Sequence, residues 1–296
     1  MPDRLNRMLL AALCIVSLVV WWTALRATFG LALSNDAYTH ILLALPVSAA
    51  LIYVDGVRAH GQPEGARSGS VFGWGLLLVA LGIGGAARFG LIKAQEDVRL
   101  AINMLALVLW LMASVLACRG TAVFRRFLFP LCLLLLMVPL PEFALGQIVE
   151  FLQTQSAVTA RILFGLIGVP ATQDGIMVSI PGLDIEVARE CSSIRSSLML
   201  VVTTMVLAHL FLHSWWRKGL LIACVIPLSV AKNGLRIVTI AELGTRVDRG
   251  FLTGRLHHNG GIVFFAIAVV VAAVFLLVLR KNEIVAGGRP AGIAEG

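Results

Sequence analysis

The sequence predicts an all-α polytopic membrane protein with about eight transmembrane helices, on three observations. Hydrophobic residues make up 59% of the 296 positions and charged residues only 14%, whereas a soluble domain carries about a quarter charged. The mean hydropathy is +0.92. Apolar runs recur along most of the chain, at 8–25, 38–54, 71–87, 100–117, 127–140, 197–212, 219–231 and 262–279.

The first run follows a short basic head, Arg4 and Arg7. It is long and has no small-residue cleavage site after it, so it reads as a first transmembrane helix rather than a removed signal peptide. Orientation follows from the cations. With the N-terminus inside, the cytoplasmic segments hold Arg58, Arg67, Arg119, Arg125, Arg126, Arg217, Lys218, Arg280 and Lys281. Their Lys/Arg density is about twice that of the outer segments, which predicts N-in and C-in. The net charge of +8 is explained in the same way, and no nucleic-acid motif is present, so lipid rather than nucleic acid is the expected surroundings. One membrane domain is expected over 1–281, followed by a disordered Gly-rich tail over 282–296.

Two outer segments are long, 141–196 and 232–261, and long connections in compact proteins usually carry function. The first opens on Pro139-Leu140-Pro141, which ends a helix. A second helical stretch follows. Its apolar positions include Leu145, Ile148, Val149, Leu152, Ile162, Leu163 and Leu166, with Gln147, Glu150, Gln153 and Gln155 between them. Such a helix lies in the interface or tucks into the bundle. Then GIMVSIPGLDIEV (175–187) places Pro181-Gly182 where a type II turn needs them. The flanking arms, 176–180 and 184–187, form a small extracytoplasmic hairpin.

The hairpin delivers the chain to Cys191, in VARECSSIRS (187–196). Cys14, Cys118, Cys132 and Cys224 lie in or at the end of apolar runs, where cysteine serves as a small hydrophobe. Cys191 differs: it sits among charges and serines, just before a helix expected to start near Ser192 or Ser193. A helix N-terminus and nearby arginines such as Arg195 favour a thiolate. In VAKNGLRIVTIAEL (230–243), Lys232, Asn233 and Arg236 interrupt the seventh apolar run. Asn233 and Arg236 share one helix face; Arg236 either faces the interior or snorkels outward. His257 and His258 precede the last run and have the chemistry of a base or of wet interfacial histidines. His40, near the outer end of the second run, is a candidate for lining a substrate path. Charge-derived topology puts Cys191, Arg236 and His257 on one membrane face. Thiol, guanidinium and imidazole together are the parts of a cysteine acyl-transfer site. No metal-ligand spacing appears beyond the adjacent histidines, and no cofactor is implied.

These segments resemble the exosortase/archaeosortase family of membrane-embedded cysteine transpeptidases, over residues 38–265. The resemblance is carried by YTH (38–40), FPLCLLLLMVPLP ending at Pro141, FLQTQSAVTARILFGLIGVP (151–170), the stretch around Cys191, NGLRI (233–237) and HHNGGIVFF (257–265). It implies that Cys191, Arg236 and His257 are catalytic, with Asn233, His40, Ser192, Arg195 and His258 in support. His257 is chosen over His258 because the family pattern is similar to His-x-x-x-Gly, completed by Gly261. The family usually reads Cys-Ser-Gly, and Ser193 stands at the glycine position.

The implied activity is cleavage of C-terminal sorting signals on exported proteins: a short motif, commonly Pro-Glu-Pro, then a transmembrane helix and a basic tail. A thioacyl-enzyme would pass to an acceptor amine or to water. The implied setting is the inner membrane, with the site on its outer face. The residues alone also fit a transporter or channel, or a non-catalytic membrane scaffold for polysaccharide assembly.

Overall fold

The computed structural model describes residues 2–58, 70–187, 194–248, 250 and 261–287. They form helices and one small sheet, in the order α1 (Pro2–Val20), α2 (Trp22–Ser34), a 3-10 turn (Asp36–Tyr38), α3 (Ile41–Arg58), α4 (Ser70–Arg88) and α5 (Glu96–Arg126). Next come α6 (Leu128–Leu133), a 3-10 turn (Leu134–Met137), α7 (Glu142–Leu166), β1 (Thr172–Asp174), β2 (Met177–Ile180), β3 (Leu183–Glu186), α8 (Ile194–Phe211), α9 (Trp215–Ala223), α10 (Val225–Arg246) and α11 (Gly261–Gly287). Six helical segments among the described residues are long and apolar enough to cross a membrane, and eight do if two bent pairs each count as one span. The chain is an all-α polytopic membrane protein.

Contacts divide the chain into two compact units, Met1–Leu145 and Gly146–Gly296, although no linker composition marks that boundary. In the first unit, α4 lies so close to α5 that a Cβ on Gly73 would fall 2.5 Å from the Ala117 amide nitrogen. The expected first span is two helices meeting at a 70° bend. Trp21 fills the bend. It is 2% exposed, packs 5.6 Å from the Trp110 ring and rests on Gly84, whose absent Cβ leaves room for the indole.

The expected fifth span, 127–140, is only a short helix and a 3-10 turn before Pro139-Leu140-Pro141. Roughly ten helical residues cover about 15 Å, too little to cross the hydrocarbon core alone. The prolines account for the stop, since they remove amide donors and hold the chain extended. Side chains bond two carbonyls of this segment: the Tyr38 hydroxyl donates to Leu140 O at 2.8 Å, and Ser48 Oγ donates to Pro130 O at 2.7 Å.

In the second unit, the expected hairpin is present and gains a third strand, β1, in the order β1-β2-β3. Ile180 pairs with Leu183 across the turn, and Gly182 has φ +82, as the third residue of a type II turn requires. β1 escapes a hydrophobic-pattern reading because Thr172-Gln173-Asp174 is wholly polar.

The seventh span does not stop at 231. α10 continues unbroken to Arg246, so half of the second expected outer loop is helix. Hydropathy averages register the charge of Lys232 and Arg236 but not that both are buried, facing protein rather than lipid. α11 likewise runs to Gly287, past the expected boundary at 281; residues 288–296 lie outside the described residues. Its Glu283 carboxylate accepts from the backbone amides of His213 at 3.0 Å and Ser214 at 2.6 Å. Those contacts fasten the end of α11 to the α8–α9 corner and cap the start of α9.

Candidate functional site

The site is built within the second unit from α7, the sheet, α8 and α10. α7 turns a small-residue face inward, and Ala157, Ala160 and Phe164 pack with Val178, Ile180 and Val187 of the sheet region and with Ile237, Val238 and Ala241 of α10. The approach of α10 to α7 is close enough to demand glycine: a Cβ on Gly234 would meet Thr159 Cγ2 at 2.6 Å and Ala160 N at 3.3 Å.

One polar side chain in this core fixes the path toward Cys191. Gln153 is 7% exposed, and its Nε2 donates to Val187 O at 2.6 Å, across 34 residues of sequence. The Val187 amide donates in turn to Ile176 O at 3.0 Å. Both backbone groups of Val187 are therefore satisfied inside a fully buried site, four residues before Cys191. Ala188 to Ser193 lie outside the described residues, and so do 251–260. The expected roles of Cys191, Ser192, His257 and His258 consequently have no geometry attached.

The chain is next described at Ile194, already in α8; the helix start expected near Ser192 or Ser193 lies outside the described residues. Arg195 is exposed on its first turn, and Ser196 is half-buried beside it. Ser196 Oγ is bonded by the ammonium of Lys232, from α10. Lys232 is 6% exposed, Asn233 0% and Arg236 8%. Lys232 to Arg236 is one helical turn and Asn233 to Arg236 slightly less, so the three occupy one sector of α10. Arg236 faces protein, which removes the snorkelling alternative. On the same three helices, Ser156 of α7, Ser197 of α8 and Ser229 of α10 are buried with hydroxyls that make no hydrogen bond among the described residues.

The described part of the site thus presents two cations and an amide in a low-dielectric setting, beside the helix that follows Cys191. Such groups stabilise negative charge far better than they would in water; they supply no nucleophile themselves. Among the described residues, no three His, Cys, Asp or Glu side chains come together as metal ligands would.

His40 belongs to the other unit. It is 4% exposed, at the head of α3 and two residues from the buried Tyr38. Cys118 is buried, and Cys14, Cys132 and Cys224 are half-buried free thiols, as small apolar fillers should be.

Gln153 and the Lys232–Ser196 bond are the features that sequence reading leaves unassigned. Lys232 does carry a signal: a lysine within an apolar helix needs a polar partner inside the protein. Gln153 carries little, being one of several glutamines and glutamates on α7.

No curated protein and no solved structure matches the chain. A family model does: the transmembrane exosortase model matches residues 21–274, most of both units and every element just described around the site. The chain belongs to the transmembrane exosortase family.

Proposed function

We propose that the protein is a cysteine-dependent transpeptidase or peptidase of the inner membrane. In this reading it cleaves C-terminal sorting signals of exported proteins at the outer membrane face. The observation that carries the reading is the buried Lys232–Asn233–Arg236 sector of α10, held by Ser196 against the helix into which Cys191 leads. Membership of the transmembrane exosortase family supports this reading.

The steps follow from ordinary acyl-transfer chemistry. The Cys191 thiolate attacks the scissile carbonyl carbon, and the carbonyl oxygen takes the negative charge. Arg236 stabilises that oxyanion, and Asn233 holds the guanidinium on the correct face of α10. The tetrahedral species collapses as the C–N bond breaks, and His257, with His258 beside it, gives the leaving amine its proton. A thioester remains on Cys191. An acceptor amine or water, deprotonated by the same imidazole, attacks the thioester and expels the Cys191 thiolate, which restores the starting thiolate and imidazolium. Ser192 and Arg195 flank the nucleophile, and His40 lines the path of the substrate's apolar helix. The reading needs no metal or cofactor. Its partners are exported proteins carrying the motif–helix–basic tail, the surrounding lipid and an acceptor nucleophile.

The test uses membranes containing the full chain and a tagged reporter that ends in such a signal. Cys191→Ala and Cys191→Ser are expected to lower processing by at least about 10³-fold. Wild-type processing by both variants would falsify the acyl-transfer reading. A transporter or scaffold, by contrast, would tolerate Cys191→Ser.

A further inference from the structure

The corner where α8 ends and α9 begins is tied to the end of α11. Besides accepting from the His213 and Ser214 amides, the Glu283 carboxylate stands 3.8 Å from Arg217 Nη1 and 3.7 Å from His213 Nδ1. Arg217 Nη2 donates to Asn282 O at 3.2 Å. The corner is therefore held in one shape, and its carboxylate is already occupied. Over 207–220 and 276–283, Arg217, Lys218, Arg280 and Lys281 are cationic, His209 and His213 are titratable, and Glu283 is the only acid.

Three of those cations lie against aromatic rings. Arg217 Cζ is 5.6 Å from the centre of the Trp216 ring, Lys218 Nζ 5.3 Å from that of Trp215 and Arg280 Cζ 5.7 Å from that of Phe211. Such contacts order long side chains and keep their charged heads together. The rings themselves are not covered by protein: Trp215 is 70% and Trp216 64% exposed. An indole suits the boundary between headgroups and acyl chains, where one end is wet and the other apolar. The depth agrees, since the 18 described residues of α8 span about 27 Å, and a corner at the end of such a helix falls among headgroups. From the same corner an exposed apolar face runs back along α11 through Leu277, Val274 and Val270, spaced to share one side of the helix.

We propose that this corner is a binding site for an anionic phospholipid. The lipid phosphate lies among the four cations, the two indoles sit at the level of its glycerol, and an acyl chain follows the exposed face of α11. A zwitterionic lipid carries its own ammonium beside the phosphate, so a cluster with four cations and one occupied carboxylate selects a lipid of net negative charge. A free phosphate would leave the tryptophan pair and the apolar face of α11 without a role. Cys191 takes no part here, so the lipid site and the cysteine chemistry stand or fall separately.

The experiment is native mass spectrometry of the full-length protein in detergent, titrated with phosphatidylglycerol or phosphatidylcholine of identical acyl chains. The wild-type protein is expected to hold the first phosphatidylglycerol about tenfold more tightly than phosphatidylcholine. Arg280→Gln with Lys281→Gln removes most of that preference and leaves phosphatidylcholine binding within about twofold of wild type. Arg4→Gln with Arg7→Gln removes two exposed cations of α1 and keeps the preference. Trp215→Ala with Trp216→Ala weakens both lipids. Equal binding of the two lipids by the wild-type protein overturns the proposal. So does a preference that the α1 pair lowers as much as the α11 pair, since the attraction would then be diffuse. Displacement of the lipid by excess inorganic phosphate also overturns it, because the anion alone would then be the ligand. If the α11 pair melts well below wild type, Lys218→Gln decides instead: a reduced preference supports the site and a wild-type preference overturns it.

Discussion

At the scale of single residues, the hydrogen bond from Gln153 to the Val187 carbonyl shows how one buried amide side chain serves a site elsewhere in the chain. Replacing Gln153 by leucine leaves that carbonyl buried without its side-chain donor, which costs about 1–3 kcal/mol. Gln153→Leu is therefore expected to lower the melting temperature in detergent by several degrees. Gln147→Leu, on an exposed face of the same helix, should stay within about 0.5 kcal/mol of wild type; equal losses in the two variants would show that Gln153 has no special tie. The sequence marks both glutamines as polar interruptions of an apolar helix. It cannot say which is buried, because the partner of Gln153 lies 34 residues away on another element. The Cys191 neighbourhood stands out in sequence for the opposite reason, since its cysteine lies among charges and serines and the signal is local. Lys232 falls between the two cases: its sequence setting announces a partner, and only the packing of α8 on α10 names Ser196.

At the scale of elements, α7 and α10 touch where glycine alone fits. Gly234→Val places branched carbons into Thr159 and the α7 backbone. The expected cost is about 1–3 kcal/mol of stability, typical of overpacking, together with loss of reporter processing as α10 is pushed off α7. Thr159→Ala in the same chain removes Cγ2, the nearer of the two clashing side-chain atoms, so the double variant should recover part of both losses. Stability falling by the sum of the single effects would argue against a shared contact. The hairpin makes a second, independent prediction. Gly182 has φ +82, so Gly182→Ala should cost about 1 kcal/mol in thermal denaturation, whereas a type II turn tolerates Pro181→Ala better. The turn was readable because Pro-Gly is a local code, and the arms because they are β-branched. The length of α10 was not readable from hydropathy, since a helix whose charged sector is buried looks, residue by residue, like the end of a span. The breaks at Trp21 and Pro139–Pro141 divide in the same manner. Proline announces itself, but the bend at Trp21 depends on Trp110 and Gly84, both distant in sequence.

At the scale of the whole molecule, composition alone fixes the class: a chain with 14% charged residues and long apolar runs has to satisfy its backbone in helices. Orientation is a finer matter, drawn from a Lys/Arg density difference of about twofold. It predicts that a membrane-impermeant maleimide labels Cys191 in intact cells from outside, and that labelling only after the cytoplasmic face is opened would reverse the topology. The family match over residues 21–274 places the chain in the transmembrane exosortase family, and the chemistry proposed for it turns on a covalent intermediate at one sulfur. The most direct measurement is to incubate the full-length protein with a sorting-signal substrate, quench in acid and map the cysteine peptides by mass spectrometry. The account predicts an acyl fragment of the substrate on the Cys191 peptide, released by hydroxylamine as a thioester should be and absent from the other four cysteines. Substrate cleavage that proceeds with no adduct on Cys191, and at an undiminished rate in Cys191→Ser, would contradict it.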